Sequence, residues 1–335
     1  MKKFLPQKLS VSTLIHIALI SIIIIVFVIS AIKLLMWDSS AEEIPVETFD
    51  FNVSNTEPED YYYSVDINTI ENYTDDGELH IVMLGDDSLK DYSDGSGIPA
   101  LVSKNTNAIT YTCSFPDMTM ATQNMEFDVS HGYDAFSFYY TALCISKNDY
   151  TFLHDVLPTL PQTARIADYE NALSTLENID FNAVDILVLS CGAQDYLKGY
   201  TQVNSIFPEA YISNSYVDSI MQGINWIRAE YPQIQFIIMS PTYCYYMEED
   251  GTHVNCDEKK TADNGTLTDY MIAAKSAAVT LNTTYLDNLR GIDISAENAP
   301  NYLTDSTTYP NAQGRKLIAD KLSNTISQKI YDTGE

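Results

Sequence analysis

LHIVMLGDDSLKDYSDGSG, residues 79–97, changes character at its midpoint. A short β-prone apolar run ends at Gly85 and gives way to small and acidic residues that favour turns and helix caps. The run is continuously apolar rather than alternating, as expected of a strand covered on both faces in a parallel sheet. Four further runs have the same character: AITYTCSF (108–115), VDILVLSCG (184–192), IQFIIMSP (234–241) and TTYLDN (283–288). Helical patterns separate them, most clearly at 216–230, 266–281 and 311–330. The last follows Pro310 and carries Leu317, Ile318, Leu322 and Ile326 at helical spacing. This alternation predicts a three-layer α/β/α sandwich on a mainly parallel, flavodoxin-like sheet of five strands. Ligands of such sheets bind beyond the carboxyl ends of the strands, so Gly85, Gly192 and Pro241 mark the functional edge. The long intervals 116–165 and 242–265 are expected to border it.

Upstream lies LIHIALISIIIIVFVISAIKLLMW (14–37), long enough for a helix that spans a bilayer with some tilt. Lys2, Lys3 and Lys8 precede it and no acidic residue occurs before Asp38. The positive-inside tendency therefore places residues 1–13 in the cytoplasm and the bulk of the chain outside, on a retained anchor rather than a cleaved signal peptide. Residues 38–78, acidic and without apolar periodicity, read as an extracellular stalk, leaving 79–335 as the domain.

All 46 Asp and Glu lie beyond the span, against 14 of the 18 Lys and Arg, a formal charge near −32 for the outer part. Such a field excludes a nucleic-acid partner. Five cysteines in a chain of 335 residues do not make a disulfide scaffold. Cys113 and Cys191 sit in strand-like runs and read as buried thiols, whereas Cys244 and Cys256 flank a polar loop and are close enough in sequence to pair. No paired Cys/His spacing calls for zinc. The carboxylates of Asp86, Asp87, Asp117 and Asp195 read as capping or solvated groups rather than ligands of a hard cation. No cofactor is expected.

Three segments fall at the strand ends: GDDSLKDYSDGSG (85–97), CGAQDYLKG (191–199) and YLTDSTTYPNAQGRKLIA (302–319). With SPTYCYY (240–246) between the second and third, their order and spacing resemble the SGNH/GDSL hydrolase family from about residue 79 to 331. The likeness is to its membrane-anchored extracellular members in Gram-positive gut bacteria. The resemblance implies ester hydrolysis: a serine in the first block attacks, and its N–H, a glycine N–H and an Asn side chain hold the oxyanion. An Asp-x-x-His pair in the last block supplies the base.

Position by position, the chemistry is replaced. Gly85 and Asp86 match, but Asp87 stands at the serine position, with Ser88 one residue later. Pro116 and Asp117 fall where the glycine is expected. Pro116 has no N–H to give, and Asp117 would bring like charge to an oxyanion. Gly192 and Asp195 read as turn residues of the next block, in which Gln194 replaces the Asn. Tyr309 replaces the histidine, leaving Asp305 without an imidazole. Of the other histidines, His253 is the nearest substitute in sequence terms, in the loop after the fourth strand. The expectation is a catalytically inactive domain that binds a cell-envelope carbohydrate or an envelope protein. The alternative is a divergent serine or O-acetyl esterase acting through Ser88.

Overall fold

The computed structural model describes residues 58–70, 73, 75–161, 165–190, 193–203, 211–262, 264–304 and 308–330. The expected membrane helix, 14–37, lies outside them; among the described residues no helix is long and apolar enough to cross a membrane.

Each of the five apolar runs forms a strand: β1 (His80–Gly85), β2 (Ile109–Ser114), β3 (Ile186–Ser190), β4 (Gln235–Met239) and, after a small hairpin, β7 (Thr284–Leu286). All pair in parallel, in the order β2-β1-β3-β4-β7. The hairpin strands β5 (Tyr245–Met247) and β6 (His253–Asn255) are antiparallel and form a separate ribbon. The helices are α1 (Ile98–Thr106), α2 (Phe138–Lys147), α3 (Thr151–Val156), α4 (Ile166–Glu177), α5 (Gln194–Leu197), α6 (Tyr216–Glu230), α7 (Leu267–Thr280) and α8 (Ala312–Thr325).

Alternate residues of one strand feed two different cores. Ile81 and Met83 of β1 pack with Ile98, Val102, Ile318 and Leu322 of α1 and α8. Val82 and Leu84 face the other way, into a larger core that includes Phe136, Leu173, Ile224 and Ala274. Two buried faces explain why the strands read as unbroken apolar runs. Right-handed crossovers explain which helix lies where. The chain steps from β1 to β2 through α1, then returns past β1 to β3 and proceeds outward through α6 and α7 on the opposite face. The reversal opens a crevice at the carboxyl ends of β1 and β3.

The outer edge of β7 is covered by the chain's own approach to the domain. Within the segment read above as stalk, Tyr61 exchanges two main-chain hydrogen bonds with Tyr285 (3.0 and 2.8 Å). Around it, Asp287 N donates to Asp60 (2.8 Å), Tyr63 N to Thr284 Oγ1 (3.1 Å) and Val65 N to Gln235 (2.8 Å). Lys321 pairs with Asp60 at 2.8 Å. The strap satisfies β7 groups that an open edge would leave to solvent or to another chain.

Candidate functional site

The site begins where β1 stops. Gly85 lies so close to β3 that a Cβ there would stand 2.6 Å from the Ser190 Cβ, so only glycine lets the strands end together. Asp86 then caps a single 3₁₀ turn, Asp87–Leu89: its Oδ1 accepts from Ser88 N (2.9 Å) and Ser88 Oγ (2.6 Å). Asp86 is almost wholly buried, and burial pushes its carboxyl up to about 7 against the opposing effect of those hydrogen bonds.

The turn sends consecutive side chains in different directions. Ser88 points inward; its Oγ also lies 2.9 Å from Ser190 Oγ. Ser88 is half-buried and borders a small, partly open recess of about 20 Å³ shared with Asp86, Ser240, Asn288 and Tyr309. Asp87 points toward Arg165 and the 116–118 turn. Arg165 grips it with both terminal nitrogens (2.5 and 2.7 Å), a bidentate geometry, and Asp117 N donates to its Oδ2 (3.0 Å). The hydrogen bond to Asp87 raises the Arg165 guanidinium further above its ordinary range.

Asp117 has φ +50°, in the left-handed region that favours glycine and that Asp tolerates better than most residues. The backbone therefore keeps the shape a glycine would take. The expectation for this block needs correcting: the proline lacks an N–H, but the residue after it supplies one, and that N–H faces the Asp87 carboxylate. The Asp117 side chain in turn accepts from Tyr309 Oη (2.7 Å) and, at the limit of hydrogen bonding, from Arg165 (3.5 Å). Its carbonyl accepts from Lys198 Nζ (3.1 Å). Gln194 Nε2 donates to Tyr309 Oη (2.6 Å). Burial, then the carboxylates of Asp86, Asp117 and Asp87, drive the Tyr309 phenol far above its usual range, so it is a donor here and no base.

Asp195 belongs to the scaffold. It is buried, accepts from Met120 N (2.8 Å) and Ala121 N (2.9 Å), and thereby pins the 118–121 loop to the start of α5. Burial lifts its carboxyl to about 6. Gly192 and Asp305 lie outside the described residues.

A cleft of about 650 Å³ opens over this network, walled by Asp117, Arg165, Tyr169, Gln194, Lys198, Tyr309 and Met247 of the hairpin. A second hollow of about 550 Å³ shares Tyr133, Asp134, Lys198 and Tyr200 with it and reaches His131. The domain's other histidines have partners elsewhere: His80 near Asp76, His154 on Glu177, and His253 stacked on Tyr245. Among the described residues no group of three or more His, Cys, Asp or Glu is arranged to hold a metal ion.

The structure thus joins Asp87, Asp117, Gln194 and Tyr309 in one chain of hydrogen bonds, and sets Ser88 and Asp86 behind it. Arg165 and Lys198 went unrecognised in the sequence. Lys198 is the cation inside CGAQDYLKG; Arg165 carried no local mark beyond being a cation in an acidic domain.

Comparison with known proteins agrees at the level of fold. No family model matches the chain, and no curated protein matches it. Among solved structures, one crystal structure shares the fold at a TM-score of 0.51 and 14% identity, covering 74% of this chain and 96% of that one. A chain assigned as an SGNH hydrolase from Slackia heliotrinireducens has a TM-score of 0.38 and 14% identity, covering 75% of this chain and 100% of its own. One assigned as a GDSL-like lipase from Bacteroides ovatus has a TM-score of 0.45 and 11% identity, covering 74% and 98%. At these identities the likeness shows the α/β fold alone.

Proposed function

We propose that this is an SGNH-type domain without ester-hydrolase activity, whose cleft serves binding outside the membrane. The observation that carries the reading is the position of the Asp87 side chain. A hydrolase of this fold keeps an N–H free at the second block to receive the negative charge that develops on the attacked carbonyl. Here the Asp117 N–H and the Arg165 guanidinium are already engaged by a permanent carboxylate. The residue at the base position is a half-buried phenol whose O–H donates a hydrogen bond to Asp117. Ser88 has no imidazole beside it: its hydroxyl is held by Asp86 and Ser190, next to a recess about the size of one water.

The ligand class that suits the cleft is a neutral polyhydroxylated one, such as an uncharged stretch of cell-envelope carbohydrate. Tyr133 and Tyr200 line the two hollows and suit sugar stacking, each an apolar ring with a polar tip. An envelope protein presenting a neutral loop is the other partner compatible with the same surface.

The test is treatment of the full chain with a fluorophosphonate beside an active serine esterase, followed by intact-mass measurement and by assays on p-nitrophenyl acetate. We expect no adduct and no rate above the buffer blank while the control is fully labelled. A stoichiometric adduct on Ser88 would overturn the reading in favour of a divergent esterase.

A further inference from the structure

The hairpin beside the cleft contains a cysteine pair that the site's chemistry does not use. Its register opposes Tyr245 to Asn255, Tyr246 to Val254 and Met247 to His253. One step further along the same register, Cys244 falls opposite Cys256. Directly opposed residues of an antiparallel pair have Cα atoms about 4.5 or about 5.5 Å apart, depending on the hydrogen-bonding position. Both spacings lie within the range of roughly 4.4–6.8 Å that a disulfide accepts. Both side chains are wholly buried, and both are thiols in this structure. The hydrogen bond that Cys244 shares with Cys256, together with burial, holds the Cys244 thiol protonated.

The pair stands at the root of a hairpin that side chains otherwise hold: Tyr245 Oη donates to Ala296 O (2.8 Å), Lys259 pairs with Glu248 (2.5 Å), and Tyr246 meets Tyr196 edge-on. β5 and β6 join no other sheet. Met247 at the far end of β5 reaches the cleft wall. Beyond β6 the chain returns to the site's scaffold: Tyr196 Oη donates to Lys259 O (3.0 Å), and Leu267 N at the start of α7 donates to Cys256 O (3.1 Å). A covalent bond at this root would tie the segment leaving β4 to the segment entering α7 and fix one wall of the cleft.

We propose that Cys244 and Cys256 form a disulfide that locks the β5–β6 hairpin beside the cleft. The reaction is exchange with an external disulfide, either a small-molecule one or that of a thiol–disulfide oxidoreductase. One cysteine, as thiolate, attacks the external disulfide and releases one thiol; the second cysteine attacks the mixed disulfide and releases the other. The pair loses two electrons and two protons, and the external disulfide becomes two thiols. The proposal is independent of what the cleft binds.

The full chain is unfolded, refolded in a mixture of oxidised and reduced glutathione, and its remaining thiols are alkylated. Digestion after glutamate cuts at Glu248 and Glu249, between the two cysteines, so a bond shows as two peptides joined. We expect the Cys244 and Cys256 peptides joined, with Cys113 and Cys144 alkylated. Chain held in the same buffer without unfolding must give the same map. We also expect Cys256→Ser to abolish the joined species and to raise the rate of proteolytic cutting within 248–252 by about tenfold or more, because the hairpin opens more often. Alkylated thiols at both positions in either preparation, or linkage shared at random with Cys113 and Cys144, would overturn the proposal.

Discussion

Two adjacent aspartates show how far one turn separates chemical fates. Asp87 is fully matched: a guanidinium holds both its oxygens and a backbone N–H completes the set. Replacing it by serine removes the built-in anion but leaves no base, because Tyr309 retains its proton. Asp87→Ser alone is therefore expected to stay inactive. Asp87→Ser combined with Tyr309→His places a nucleophile under the Asp117 N–H with an imidazole at the base position. We expect p-nitrophenyl acetate hydrolysis at least about tenfold above the parent, measured spectrophotometrically, since a positioned general base contributes roughly 10²–10⁴ in rate. Asp86 has the opposite fate. Its folded-state value near 7 exceeds the ordinary 3.8, so between those values the folded chain binds more protons than the unfolded one. Stability is then greatest at the acid end of this window and falls as pH rises through it, by up to about 4 kcal/mol for a shift of this size. Asp195, lifted to about 6, adds in the same direction. Urea denaturation at pH 5 and pH 8 should show the loss, and Asp86→Asn should remove most of it by stabilising the protein at pH 8. The four exchanged positions, 87, 117, 194 and 309, were legible because each sits in a block whose spacing survives. Arg165 was not legible: its partner lies 78 positions away, and only folding brings the two together.

At the scale of elements, the sheet was readable because β1, β3 and β4 are buried on both faces and so run nearly unbroken in apolar residues, whereas the edge strand β2 is only partly buried and carries Thr110 and Thr112. The helix pair α2 and α6 was only half readable. Its contact depends on Gly223, whose missing Cβ makes room for the buried Phe138 ring and Ala142. Gly223→Ala should destabilise the domain by about 1–3 kcal/mol, seen as a lower urea midpoint, because the packed ring has nowhere to retreat. The strap at 59–65 was legible only as the run YYYSVDINTI (61–70) where the stalk first meets the domain, not as a cover for the edge of β7. YYYSV has no period, and it adopts extended form only because β7 offers it an edge. A chain begun at residue 79 would lose those bonds and bare the edge of β7. We expect it to aggregate at concentrations where a chain begun at residue 56 remains monodisperse by size-exclusion chromatography.

At the scale of the whole molecule, 46 acidic against 18 basic residues make folding a compression of like charge. Added sodium chloride shortens the Debye length from about 30 Å at 0.01 M to about 8 Å at 0.15 M and should therefore raise the thermal midpoint, a direction readable by calorimetry. The acidic balance was plain in the sequence, yet it said nothing of how charge is arranged in the cleft. The cleft wall sets Arg165 and Lys198 beside Asp117 and Asp134, and Asp87 acts on Arg165 as a competitor that never diffuses away. Tethered by its own side chain, it holds the Arg165 fork at an effective concentration no dissolved carboxylate or phosphate reaches in practice. An anion arriving from solvent must first evict it, whereas an uncharged polyol meets no rival and loses nothing by its lack of charge. On the proposed reading, the side chain at position 87 disfavours anionic ligands simply by keeping Arg165 occupied.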